Sequence, residues 1–365
     1  MGIYTSIVRP LAFRLEAERA HQLAIKLGGS VAWAAKAVRP LLAVSDPRLE
    51  TTVAGIRFPH PIGLAAGYDK NGYSIETLAA LGFGSVEIGS VTIDASDGNP
   101  KPRLWRLPED RAVVVHYGMP NDGAAAVKTR IEGLRLAVPL GVNIAVTNRG
   151  RGAPPLSAHQ IVEEYVAAAR MLSPYADYLM LNMSCPNTED GRDFFVERAH
   201  IDQCLAALGA AELRIPVFMK VSPVGGIEAV ERVLAAAEPH AFVSGFMFNL
   251  SPKKPPGLRT PEAVLRTMPG AVSGPAACSQ LTDQCIAKCY RRMDRRRFAL
   301  VGAGGVFTAE DAYAKIRSGA SLVQLLTALV YEGPLLARRV ARGLVRLLER
   351  DGFRSVSEAV GADVR

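Results

Sequence analysis

Polar and cationic residues in this 365-residue sequence recur at one kind of position, the end of a short apolar run. Lys70 closes the stretch Ala65-Ala66-Gly67-Tyr68-Asp69-Lys70, Ser90 follows Gly89, and Asn143 ends a third run. A fourth leads into Asn182-Met183-Ser184-Cys185-Pro186-Asn187-Thr188, and Lys220 and Asn249 end two more. An ammonium beside a bound ring system can stabilise the negative charge that the ring gains on reduction, which is a use for Lys220; a second, at Lys70, can bridge cofactor and substrate. The apolar neighbours of Lys220 in Pro216-Val217-Phe218-Met219-Lys220-Val221 argue against casual exposure. Asn and Ser also serve as ordinary helix caps, but caps do not account for six successive runs ending this way. Further on, Gly302-Ala303-Gly304-Gly305 and Leu326-Thr327-Ala328 follow two more runs. A glycine-rich turn lets backbone N–H groups approach an anion closely, and these two loops are where barrels usually seat a phosphate.

The elements that must hold these residues are the runs themselves, at 61–66, 85–91, 140–145, 178–183, 217–221, 242–249, 299–301 and 321–325. Each is followed by a longer segment of helical type. Eight buried strands alternating with helices imply a parallel sheet, and eight is the number that closes a (β/α)8 TIM barrel. An open doubly wound sheet is the other arrangement, but no GxGxxG follows the first strand. The first 45 residues read differently. Segments 8–15 and 21–38 have apolar residues on one side and Arg and Lys on the other, joined near 16–19. Such a helical extension, residues 1–45 ahead of a barrel at 46–365, either caps the barrel mouth or lies on a membrane surface with its basic residues toward anionic headgroups.

Composition narrows the class. The chain is 49% hydrophobic and 21% charged, an ordinary globular balance, with a net charge of +8 and a pI near 9.3. No aromatic-interleaved basic stripe points to nucleic acid. No window approaches the roughly 18–20 apolar residues of a spanning helix, and no cleavable signal pattern opens the chain. A soluble or peripheral cytoplasmic protein is expected. Five cysteines (Cys185, Cys204, Cys278, Cys285 and Cys289) form no CxxC pair, so neither a disulfide framework nor a metal site is expected.

With these motifs in order, the chain resembles the dihydroorotate dehydrogenase family, specifically its membrane-associated, quinone-linked class 2. The resemblance rests on PIGLAAGYDKNG (61–72), GFGSVEIGSVT (82–92), KPRLWRL (101–107), LNMSCPNT (181–188), VFMKVSP (217–223), VGAGGV (301–306) and GASLVQLLTALVYEGP (319–334), with RLEAERAHQLA (14–24) similar to the helical pair of class 2. It implies FMN across the C-terminal mouth of the barrel. Contacts to FMN would come from Ala65, Gly67, Lys70, Ser90, Asn143, Asn182, Lys220, Gly274, Gly304, Gly305 and Thr327. The substrate, dihydroorotate or a relative, would meet Lys70, Asn182, Asn187, Asn249 and Ser251, with Val115 and Met119 lining the same site. Catalysis would fall to Cys185 with Lys70 and Thr188: a proton leaves to the base while a hydride passes to the flavin. His21 and Arg103 would face a quinone.

Several positions depart from the family pattern. Val115 stands where a substrate-binding Asn is usual, His116 where Arg, Met119 where Phe and Pro120 where Asn are common. Val115 offers no side-chain hydrogen bond, a loss of about 1–3 kcal/mol for a partner left unpaired. Cys185 occupies the base position, which is Ser in class 2 and Cys in the soluble class 1; a thiol is the more acidic group. Ala145 and Val146 replace a Gly and a Lys, Leu326 a Tyr near the quinone tunnel, and Phe248 a Thr. Three functions follow as alternatives: oxidation of dihydroorotate, a divergent enzyme acting on another small heterocycle or carbonyl compound, and a non-catalytic flavin-binding or membrane-bound module.

Overall fold

Strand periodicity decides which residues face the interior. In the computed structural model, which describes residues 2–150, 152–184, 194–249, 254–275 and 279–364, eight strands close into a barrel. They are β1 (Ile62–Leu64), β2 (Ser85–Val91), β3 (Leu140–Ile144), β4 (Tyr178–Asn182), β5 (Val217–Val221), β6 (Val243–Phe248), β7 (Ala299–Ala303) and β8 (Leu322–Leu325). Neighbours pair in parallel throughout, and β8 returns to β1, with Val323 opposite Ile62. This is the expected (β/α)8 barrel with helices at its N-terminus.

Two apolar layers result from the alternation. Val86 and Ile88, Val142 and Ile144, Leu179 and Leu181, Val217 and Met219 lie in the large core shared with the surrounding helices. The residues between them point into the barrel, where Tyr178, Met180, Phe218, Met247, Val301, Ala303 and Leu322 form a second core. Val53 and Phe58 join that inner core from an antiparallel hairpin of strands Thr51–Val53 and Ile56–Phe58, which plugs the N-terminal end of the barrel. The inward positions nearer the C-terminal ends are polar instead: Glu87, Asn143, Asn182, Lys220 and Gln324.

Three features differ from the expectation. Residues 112–115, outside the eight expected runs, form a strand (Ala112–Val115) between Leu104–Leu107 and Ala271–Ser273 in a separate antiparallel sheet. The N-terminal helices are also offset. Tyr4–Val8 is a π-helical turn continued by Arg9–Ala12, and the next helix runs Ala17–Ser30, starting four residues earlier than its apolar pattern suggested because the Glu16 carboxylate caps the N–H groups of Glu18 and Arg19. It breaks at Val31, and a further helix, Ala35–Leu42, follows. Finally, Phe248 packs in the outer core beside the helices.

Candidate active site

The C-terminal ends of the strands bring most of the sequence-selected residues together. Asn182 pairs in register with Lys220, and Lys220 with Met247, so the ends of β4 to β6 are level. Ala65 N–H donates to Leu325 O (3.1 Å), Gly67 N–H to Gly89 O (2.7 Å) and Asn249 N–H to Val221 O (3.2 Å), which laces the rim. Gly67 holds φ at 105°, in the region that favours glycine. Tyr165 Oη donates to Asn182 O at 2.7 Å and fixes the end of β4 from outside.

Inside that rim the polar side chains form one directed chain. Asn182 Nδ2 donates to Ser90 Oγ (2.9 Å), and Ser90 Oγ donates to Asn143 Oδ1 (2.6 Å). Asn143 Nδ2 then donates to Glu87 Oε1 (3.0 Å). Glu87 was not selected from the sequence; its one signal there is a carboxylate in an apolar strand run. Burial holds its carboxyl above the usual carboxylate range, with the hydrogen bonds from Gln324 and Asn143 and the charge of Lys220 opposing the rise. Asn182 Oδ1 and Ser184 Oγ are buried without a hydrogen-bond partner, and a buried acceptor left unpaired costs about 1–3 kcal/mol. These orphaned atoms, on the strand that leads into the motif-bearing loop, fit a ligand that supplies polar partners at the barrel mouth.

The glycine-rich side fits an anionic group. Gly304 and Gly305 take φ of 84° and 72°, the region that favours glycine, and having no side chains they leave the turn's backbone open. Thr327 is 5% exposed, and its hydroxyl hydrogen-bonds Ser273 Oγ at 2.7 Å. That contact brings the strand Ala271–Ser273, and Gly274 after it, beside β8. A Cβ on Gly274 would stand 2.5 Å from the Ala112 Cβ, so no side chain fits there.

A second group gathers around Lys70. The Asp69 carboxylate accepts from the backbone N–H groups of Asn71, Gly72, Tyr73 and Ser74, and this clamps the loop that presents Lys70. Lys70 Nζ donates to Gly67 O (2.9 Å) and lies 4.0 Å from the centroid of the Tyr117 ring, a cation–π contact. Tyr117, which sequence patterning missed, has a buried hydroxyl with no partner. Burial pushes the Lys70 ammonium down to about 8, with Glu18 and Asp69 opposing and Arg103 adding to the fall. His21 meets the Tyr68 ring edge-on at 5.2 Å, and burial together with the Lys70 charge holds it down to about 3, so it is neutral near pH 7. Arg103 is 7% exposed and forks onto the Glu18 carboxylate, Nη2 to Oε1 at 2.8 Å and Nε to Oε2 at 3.1 Å. His21, Lys70, Arg103 and Tyr117 share a cavity of about 550 Å³ between the Ala17–Ser30 helix and the barrel.

The remaining sequence-selected residues divide. Val115 lies in the antiparallel sheet between Leu104 and Ala271, with its side chain against the main core, and Met119 is buried with φ 58°. Asn121 spends its amide on Thr92, Gly123 and Met119 O, and so holds that loop in place. Cys185, Asn187, Thr188 and Ser251 lie outside the described residues.

A closed parallel barrel whose mouth combines two lysines, a directed asparagine–serine chain and a glycine-rich turn defines a barrel oxidoreductase. The dihydroorotate dehydrogenase family model matches residues 48–348. The chain is 39% identical to the dihydroorotate dehydrogenase (quinone) of Natronomonas pharaonis over 369 residues, covering 100% of both chains. It is also 39% identical to the enzyme of that name from Mycobacterium marinum, covering 98% of this chain and 97% of the relative. A crystal structure of DHODH from Eimeria tenella in complex with ferulenol superposes with a TM-score of 0.80 at 29% identity, over 95% of this chain and 96% of that one. The chain belongs to the dihydroorotate dehydrogenase family.

Proposed function

We propose that this chain is an FMN-dependent oxidoreductase that converts dihydroorotate to orotate and delivers the electrons to a quinone. The observation that carries the reading is the orphaned Asn182 Oδ1, at the head of a hydrogen-bond chain whose other members are all donor–acceptor matched. The flavin supplies two-electron acceptance from the substrate carbon next to the one that loses its proton, and re-oxidation by quinone.

This chain's residues do the rest. Ala65, Gly67, Ser90, Asn143, Asn182 and Lys220 hold the ring system, and Gly274, Gly304, Gly305 and Thr327 the phosphate. Lys220 sets a positive charge where the ring becomes anionic. Lys70, Asn182, Asn187, Asn249 and Ser251 bind the substrate's polar edge, with Val115 and Met119 beside it. Cys185, assisted by Thr188, takes the proton. His21 and Arg103 face the quinone from the cavity under the Ala17–Ser30 helix. Residues 1–45 form the quinone- and membrane-facing extension of a barrel at 46–365, on the inner face of the cell membrane. Anaerobic addition of dihydroorotate to the flavin-loaded protein, followed by a short-chain quinone, tests this: bleaching and then recovery of the flavin band are expected, and a band that dihydroorotate leaves intact overturns it.

One observation favours a second substrate. Val115 packs against the core and presents no polar atom from its side chain, so a site otherwise built for dihydroorotate has one donor or acceptor fewer. A flavin inert to dihydroorotate yet bleached by dithionite would select this divergent enzyme.

A further inference from the structure

Glu87, on β2 below the strand ends, carries a carboxyl group that is 1% exposed. Both its oxygens receive only donors. Asn143 Nδ2 donates to Oε1, while Tyr178 Oη (3.0 Å) and Gln324 Nε2 (2.7 Å) donate to Oε2. Three donors and no acceptor suit a carboxylate, which is acceptor-only when ionised. The sequence makes room for this arrangement at two glycines: a Cβ on Gly141 would sit 2.2 Å from the Tyr178 ring, and one on Gly63 would sit 2.4 Å from Ser85 Oγ. Tyr178 reaches Glu87 only because Gly141 has no side chain.

The direction of the neighbouring hydrogen bonds follows from this anchor. With its Nδ2 committed to Glu87, Asn143 can offer only Oδ1 to Ser90; Ser90 must then donate to it and accept from Asn182, which turns Asn182 Oδ1 toward the mouth as an unpaired acceptor. Glu87 is also within electrostatic reach of Lys220, and a fixed charge acts strongly in a low-dielectric interior. In the proposed reaction it touches neither the substrate nor the proton that leaves; it acts through Asn143, Ser90 and Asn182.

We propose that Glu87 is a positioning residue for the flavin: it fixes the polarity of the Asn143–Ser90–Asn182 chain and, as a buried negative charge opposing Lys220, keeps the reduction potential of the bound FMN low. The inference rests on the reading that FMN occupies this mouth. Removal of the charge by Glu87→Gln, with the side-chain shape kept, favours the reduced anionic flavin.

The test is the midpoint potential of FMN in the intact protein, measured by anaerobic equilibration with a reference dye, beside the flavin content. Glu87→Gln is expected to retain FMN and to move the potential to a more positive value. FMN bound at the wild-type potential overturns the proposal, whereas wild-type protein that takes up no FMN overturns the functional reading instead. If Glu87→Gln does not hold FMN, Tyr178→Phe decides. It removes one donor from the carboxylate and leaves the ring packed edge-on against Phe218. The lost donor is one that favours the ionised carboxylate, so a potential more positive than wild type supports the proposal, and one that is unchanged or more negative overturns it.

Discussion

At the scale of single residues, the chemistry turns on which groups are charged. Lys70 has its pKa pushed down to about 8, so its ammonium is present below that pH and lost above it. The KM for anionic dihydroorotate is therefore expected to climb as pH rises through about 8 in the wild type and to stay flat in Lys70→Met. A flat wild-type profile would remove Lys70 from the substrate site. For folding, the pKa is depressed from the ordinary 10.5, so the cost of burying this charge is in force below about pH 8 and is relieved between there and 10.5; stability from this group rises with pH. Lys70, Lys220, Ser90, Asn143 and Asn182 were legible in the sequence because each ends an apolar run. Glu87 and Gln324 were not, because a polar residue inside a strand carries no mark of the partner it will meet across a barrel. Tyr117 was equally silent: its value lies in the lysine that a distant loop stacks over it.

At the scale of elements, the Ala17–Ser30 helix forms one wall of the cavity and is held by specific polar contacts. Glu18 pairs with Arg103, Ser74 Oγ donates to Ile25 O (2.5 Å), and Thr77 Oγ1 donates to Gly28 O (2.7 Å). Gly29 lets the helix approach, since a Cβ there would stand 2.7 Å from Tyr73 O. Breaking a buried pair by deleting one partner costs about 3–5 kcal/mol because a charge is left uncompensated. Glu18→Ala is thus expected to speed hydrogen exchange across Ala17–Ser30 while the barrel strands keep their protection. Exchange there at the wild-type rate would contradict this anchoring. The eight barrel strands were legible from their apolar runs. The antiparallel sheet was not: Ala112–Val115 pairs with Ala271–Ser273 across more than 150 residues, and a three- or four-residue run shows no period of its own. The plugging hairpin escaped notice for a related reason, since it turns at Ala54-Gly55 with φ of 51° and 79°, where Asn-Gly is the usual signal.

At the scale of the whole molecule, the exposed apolar surface is lopsided. Among the described residues all but five of the exposed large apolar side chains lie between Ile3 and Leu41, with Trp33 85% and Ile3 77% exposed. No described helix is long and apolar enough to cross a membrane. An apolar face beside Arg14, Arg19 and Lys26 suits the boundary of an anionic bilayer. Co-sedimentation with vesicles containing phosphatidylglycerol is expected for the wild type and should fall sharply when Leu27→Glu and Trp33→Glu are combined; undiminished binding would contradict a membrane role for this face. Anaerobic titration of the purified flavoprotein tests most directly the proposal that the barrel mouth seats one flavin which dihydroorotate reduces. The visible flavin band is expected to be bleached with one equivalent of dihydroorotate per bound FMN. A flavin that dithionite reduces but dihydroorotate does not would contradict it.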